Sequence, residues 1–128
     1  MVTETTKGIV VSVETNYQPG YSSPSQLHFV FTYQIKIENK GTHTIQLLRR
    51  CWNIADASYS KRLISGEGVV GQQPVLEPGE SHEYVSGCTL KSGIGKMWGH
   101  YEVERIMDGE ILRINIPEFS MIAPYKLN

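Results

Sequence analysis

Between Leu27 and Glu38 apolar and polar side chains alternate almost without interruption. Leu27, Phe29, Phe31, Tyr33, Ile35 and Ile37 fall on one side, opposite His28, Thr32, Gln34, Lys36 and Glu38. A period of two marks a strand with one face on a core and the other partly in water, because successive Cβ atoms point to opposite faces of a sheet. The pattern recurs along the chain. From Gly8 to Tyr17 it directs Ile9, Val11, Val13 and Tyr17 inward, and from Thr44 to Asp56 it directs Leu48, Trp52 and Ile54 inward. Tyr59 to Ser65 reads as a short strand and His82 to Leu90 as a longer one. Lys96 to Met107 carries Met97, Tyr101 and Val103 in phase, and Glu110 to Pro117 carries Leu112, Ile114 and Ile116. No stretch longer than two turns has the 3.6-residue period of a helix.

Turn chemistry divides these segments. Asn39-Lys40-Gly41-Thr42 reads as a turn. Pro78-Gly79 suits the centre of a type II turn, since proline presets the first dihedral and glycine accepts the positive second one. Asp108-Gly109 predicts a two-residue hairpin. About seven antiparallel strands without helices predict an immunoglobulin or fibronectin type III-like β-sandwich, with a closed barrel as the alternative. The 128 residues suit a single domain, large enough to bury a core without metal or disulfide support. Residues 1–7 and 120–128 read as peripheral tails, the apolar but proline-broken C-terminal one placed to cover an edge or dock on a neighbour.

Composition narrows the function classes. Hydrophobic residues make up 40% and charged residues 20%, with a net charge of -1, which suits a globular protein and not a generic nucleic-acid or membrane-surface binder. No apolar run approaches the ~20 residues of a membrane helix, and Met1 to Lys7 has no signal-peptide core. The expected location is cytoplasmic, with neither nucleic acid nor membrane as a partner. Cys51 and Cys88 lie in no C-x-x-C spacing and are expected to be reduced, buried and apolar in role.

One motif invites an enzymatic reading. Gly66-Glu67-Gly68-Val69-Val70-Gly71 matches G-x-G-x-x-G, but dinucleotide binding needs a helix to open at that loop. Here Pro74 and Pro78-Gly79 follow within a few residues and leave no room for one. Two readings remain. Gly66, Gly68 and Gly71 supply positive dihedrals to a loop or bulge, or their amides form a concave anion site with Arg49, Arg50, Lys61 or Arg62 as countercharge. Glu67 inside the motif opposes the second. His28, His43, His82 and His100 are too far apart in sequence to make a metal site on one element, so no metal is expected. Ser81-His82 point to opposite faces of a strand with no third group, and no catalytic residue is assigned. Trp98 and His100 fall opposite Met97 and Tyr101, which makes Trp98 a candidate anchor for a protein partner.

The segment from Gly66 to Leu76, followed by Pro78-Gly79-Glu80, resembles the signature of the bacterial ApaG family. Leu47-Leu48-x-Arg50-x-Trp52, Tyr84-x-Ser86-Gly87-Cys88 and Met97-x-Gly99-x-Tyr101 are similar to the same family, and the likeness runs from about Val11 to Phe119. The chain departs from the pattern at Cys51, in place of histidine, and at Gln72, in place of glutamate. The resemblance implies a fibronectin-type sandwich and a loose association with cobalt and magnesium resistance. Genes of the family lie near a diadenosine-tetraphosphate hydrolase. Related domains occur in larger eukaryotic proteins, among them F-box proteins and a polymerase-delta-interacting protein, where they look like interaction modules. The family brings no agreed catalytic residues and no cofactor. The expectation is therefore a non-enzymatic module for a protein or peptide partner, with a nucleotide-polyphosphate sensor built on Gly66–Gly71 as the alternative. A homodimer formed through an exposed edge or the tail is a further possibility.

Overall fold

In the computed structural model, which describes residues 1–58 and 60–124, two antiparallel sheets enclose one core. The strands are β1 (Val2–Thr6), β2 (Ile9–Tyr17), β3 (Phe29–Asn39), β4 (Ile45–Asp56), β5 (Lys61–Glu67), β6 (Val75–Leu76), β7 (Ser81–Leu90), β8 (Ile94–Arg105) and β9 (Glu110–Ile122). One sheet runs β1-β2-β3-β7 and the other β5-β4-β8-β9, with β6 added to β4. Seven long strands, three facing four, make the predicted sandwich. The two strands beyond that expectation are β1, formed by residues assigned to a tail, and the two-residue β6.

The alternation explains β3 well. Phe29, Phe31, Tyr33, Ile35 and Ile37 are all buried, and β3 lies between β2 and β7. Leu27 does not join them. It is 63% exposed with φ 54, where it closes the 3-10 turn Pro24–Gln26. The strand starts two residues later, after an isolated bridge from Ser23 to His28.

Two irregularities shift the inward phase elsewhere. The β4–β8 register slips between Leu47 and Arg49, so Ile45 and Leu47 are buried before the break and Trp52 and Ile54 after it. Leu48, expected inside, lies at the break and is only half-buried. A bulge adds one residue to one strand and moves every later side chain to the other face. The β8–β9 register slips again between Met97 and Gly99, opposite Pro117-Glu118. Proline cannot donate to a ladder, so a bulge accommodates it there. Beyond Pro117 the strand continues with Phe119, Met121 and Ala123 buried. The expected peripheral tail is thus core as far as Ala123; residues 125–128 lie outside the described part.

The turns hold with one revision. Glu80 N donates to Glu77 O (2.9 Å) across Pro78-Gly79, with Gly79 at φ 91, as a type II turn requires. The β8–β9 connection is not a two-residue hairpin. Arg105 pairs with Glu110, leaving a four-residue loop closed by Gly109 N donating to Arg105 O (2.8 Å). Asp108 organises that loop by accepting from Arg105 Nη2 (2.6 Å) and the Glu110 amide (3.1 Å). These bonds lower its carboxyl to about 2.

Candidate functional site

The sheets meet differently along their two long sides. On one, β9 packs against β1 and β2; Thr6 Oγ1 accepts from the Asn115 amide (3.2 Å) and Thr15 Oγ1 donates to Ser120 O (3.5 Å). On the other, β5 and β7 are the outermost strands of their sheets. Arg62 bonds across between them, with Nη2 on Thr89 O (2.6 Å) and near Cys88 Sγ (3.6 Å). This open side holds most of the residues singled out from the sequence.

The glycine motif lies at the end of β5. Gly66 is in the strand, and a side chain there would meet the Arg50 guanidinium at 3.1 Å. Gly68 has φ 63, and a Cβ would fall 2.3 Å from Gln72 O. Val70 (φ 47) and Gly71 (φ 77) both have positive dihedrals. Val69 N donates to Gln72 O (2.8 Å) and Gln72 N to Val69 O (3.0 Å). That pattern is a type I′ hairpin, whose two central residues need positive φ. The Gly68 amide is bonded to Leu48 O (2.8 Å). The Gly68 and Val69 amides of the motif and the adjoining Gln72 amide are therefore occupied within the fold, and buried Val69 fastens the hairpin to the core.

The arginines do not converge on an anion. Arg50 reaches the loop, but its Nη1 donates to the carbonyls of Glu67 and Gly68 (2.9 Å each). Arg49 points to the outer face, where it pairs loosely with Glu102 (3.7 Å). Arg62 is held at Thr89, and Lys61 follows the exposed edge of β5. The sequence placed these cations side by side, whereas strand alternation sends Arg49 and Arg50 to opposite faces.

Beneath Arg50 lies a polar patch of the core. The Tyr84 and Tyr101 hydroxyls are hydrogen-bonded to each other, and Tyr33 pairs with Ser86. Burial pushes all three phenols above their ordinary value, Tyr84 and Tyr101 far above it, so they stay neutral. The cysteines are free; Cys88 is buried and Cys51 only half-buried, facing outward beside Ser65 and His100. Burial also raises the Cys88 thiol, against the pull of Arg62, which disfavours a reactive thiolate.

Trp98 lies half-buried on the outer face of the five-stranded sheet, with Lys96 Nζ 5.6 Å from its ring centre. Asn53, His100, Arg113, Asn115 and Glu118 share a shallow concavity with it. Burial lowers the His100 imidazole, with Arg113 acting in the same direction and Glu102 against. Among the described residues no group of three or more His, Cys, Asp or Glu is assembled for a metal ion, and no helix is long and apolar enough to cross a membrane.

Sequence reasoning missed β5 as a surface. Leu63 is 75% and Ile64 40% exposed. The strand's burial pattern has no buried position at all. The register shows why. Asp56 N donates to Ser60 O (2.9 Å) and Gly68 N to Leu48 O (2.8 Å) at the two ends of the β4–β5 ladder. Antiparallel alternation then turns the backbones of Arg62, Ile64 and Gly66 toward β4, and those of Lys61, Leu63, Ser65 and Glu67 away from the sheet. The available signal was Leu63-Ile64, two adjacent apolar residues between charges, which no single-faced alternation buries. On the outer face Leu63, Asn53 and Trp98 lie in register across three strands.

Comparison with known proteins agrees with this architecture. The ApaG domain family model matches residues 19–105. The chain is 46% identical over 126 residues to Protein ApaG of Paramagnetospirillum magneticum, covering 98% of this chain and 96% of that one. Protein ApaG of Acidithiobacillus ferrooxidans is 46% identical over 116 residues, or 90% of each chain. A crystal structure of a Bordetella pertussis protein designated ApaA superposes with a TM-score of 0.87 at 42% identity, covering 91% of this chain and 94% of that one. On this sequence match over nearly its whole length, the chain belongs to the ApaG family.

Proposed function

We propose that this ApaG-family protein is a non-enzymatic binding module that takes up an extended segment of a protein or peptide by strand addition at β5. The observation that carries the reading is the β5 edge itself. It has seven residues, no buried position and four outward-facing backbone units. Unpaired edges recruit strands, and natural proteins usually blunt them with bulges, prolines or covering elements. The β4–β5 pairing runs without a register break, and β5 contains no proline. Main-chain bonds would supply affinity, and the outer row Leu63, Asn53 and Trp98 would select side chains of the incoming segment.

The nucleotide-polyphosphate reading draws no support from the loop, where Arg50 faces carbonyls and Arg49 and Arg62 lie elsewhere. We take any effect on cobalt or magnesium resistance to act through the partner. The test is to pan a random peptide library and map bound peptides by amide hydrogen exchange. Protection of the Lys61, Leu63, Ser65 and Glu67 amides is expected, with Trp98→Ala weakening binding. Peptides that protect other amides, or no binders at all, would overturn the reading.

A further inference from the structure

We infer that the segment added to β5 is β5 of a second copy of this chain, in an antiparallel pairing about a two-fold axis at Ile64. The inference rests on the strand-addition reading above and names its partner. Antiparallel self-pairing must match outward-facing residues with outward-facing residues. Three registers bring three or more of Lys61, Leu63, Ser65 and Glu67 together. Centring on Leu63 leaves Glu67 without a partner, and centring on Ser65 leaves Lys61 without one. Centring on Ile64 engages all four, Leu63 with the second copy's Ser65 and Lys61 with its Glu67.

That register also gives the best side-chain match. Lys61 lies directly opposite the carboxylate of the second copy's Glu67, and symmetry repeats the pair. Directly opposed unlike charges favour a strand pair and like charges oppose it. A parallel alignment of the same strands would stack Lys61 on Lys61. The two exposed apolar residues converge on the axis. Both Ile64 side chains meet on the inner face, and the Leu63 side chains become diagonal neighbours on the outer face. The Glu67 carbonyl already accepts from Arg50, and its second lone pair is left for the ladder. Arg62 comes opposite Gly66, on which Arg50 of the second copy packs. These like charges are held apart, Arg62 by the Thr89 carbonyl and Arg50 by the carbonyls of Glu67 and Gly68. The product is one continuous sheet through two molecules, β9-β8-β4-β5 followed by β5-β4-β8-β9.

Sedimentation equilibrium of the full chain from about 10 µM to about 1 mM, the range of weak association, tests this. A monomer–dimer equilibrium that weakens with salt is expected. Lys61→Glu should raise the dimer Kd by about tenfold, since it places two like-charge pairs in the ladder, and Lys61→Glu with Glu67→Lys should restore it. Ile64→Cys should give a disulfide-linked dimer, because a non-hydrogen-bonded antiparallel pair has Cα atoms within bridging distance. A monomer at every concentration with no Ile64→Cys bridge would overturn the inference. So would a dimer indifferent to both charge reversals and the cysteine. If library peptides still protect the β5 amides in that case, strand addition stands and only the identity of the partner fails. If they do not, both fail.

Discussion

The two long sides of the sandwich present the same problem and resolve it in opposite ways. Each sheet must end somewhere, and an ending strand leaves unpaired amides and carbonyls. On the β1–β9 side the sheets curl onto each other, and Phe119, Met121 and Ala123 seal the seam with buried apolar atoms. On the β5–β7 side the sheets stay apart. Polar links stitch that side: Arg62 to Thr89, and Asp56 to the Lys91 amide (2.6 Å) and the Ser92 hydroxyl. The closed side derives its strength from burial, which is large and non-directional. The open side relies on a few hydrogen bonds of about 1 kcal/mol net each. A side that contributes little to folding is free to be used for binding, since low local stability is where recognition elements are drawn from.

The largest effect should come from the closed side. Phe119 packs edge-on against Trp52 and tilted against Tyr33, with ring centres 5.8 and 5.7 Å apart. Phe119→Ala should cost about 3–5 kcal/mol, the usual penalty for emptying a buried aromatic site. Chemical denaturation would show it, and a loss under about 1 kcal/mol would mean that β9 beyond Pro117 is not core. Asp56 gives the open side's counterpart. Its carboxylate is buried, which disfavours the charge, but bonds from Ser92, the Lys91 amide and the Ser58 amide outweigh that and hold its carboxyl below the usual range. A lowered pKa means that its contribution is complete above the unfolded value of about 4 and is lost as pH falls through the folded one. Asp56→Asn should cost about 1–3 kcal/mol at pH 7. The gap between variant and parent should narrow below about pH 4. A gap that stays constant down to pH 2 would mean that the charge contributes nothing.

The sequence disclosed the closed side's chemistry more readily than its reach. β3 was legible because every buried position follows one uninterrupted phase. Leu48 was misplaced because a bulge shifts the phase at Leu47–Arg49 without leaving any mark in residue type. Residues past Pro117 read as a tail because proline usually ends a strand, whereas here a bulge absorbs it. The open side was least legible. The glycine motif drew attention to itself, but its positive dihedrals serve a hairpin, and the arginines near it in sequence are separated by strand alternation. That β5 is an edge is a fact of long-range pairing order, which local composition does not encode.

Two smaller effects sharpen the contrast. Val70 is β-branched and 63% exposed, yet holds φ 47 in the hairpin that follows β5. A left-handed conformation costs a β-branched residue about 1–2 kcal/mol relative to glycine. Val70→Gly removes that strain but loosens the unfolded chain, which costs up to about 1 kcal/mol in return. A net gain of up to about 1 kcal/mol is expected, read as a rise in melting temperature. A fall would show that the valine side chain makes a packing contribution that its exposure does not suggest.

Leu63→Ser should change stability least of all, within about 0.5 kcal/mol, as for other exposed positions away from special features. Its side chain stands on the outer face beside Asn53 and in line with Trp98, and at 75% exposure it is mostly water that loses contact with it in the isolated chain. Strand addition covers that side chain, and the same substitution should then weaken binding while the melting temperature holds. The ratio of the two effects is the discriminating quantity. A structural residue moves stability and binding together, because any loss of the fold lowers the competent fraction. A contact residue on an open edge moves binding alone. Titration of a β5-binding segment against parent and Leu63→Ser protein, with thermal melts on the same samples, separates the two. Equal affinities would remove Leu63 from the interface and confine recognition at β5 to the main chain.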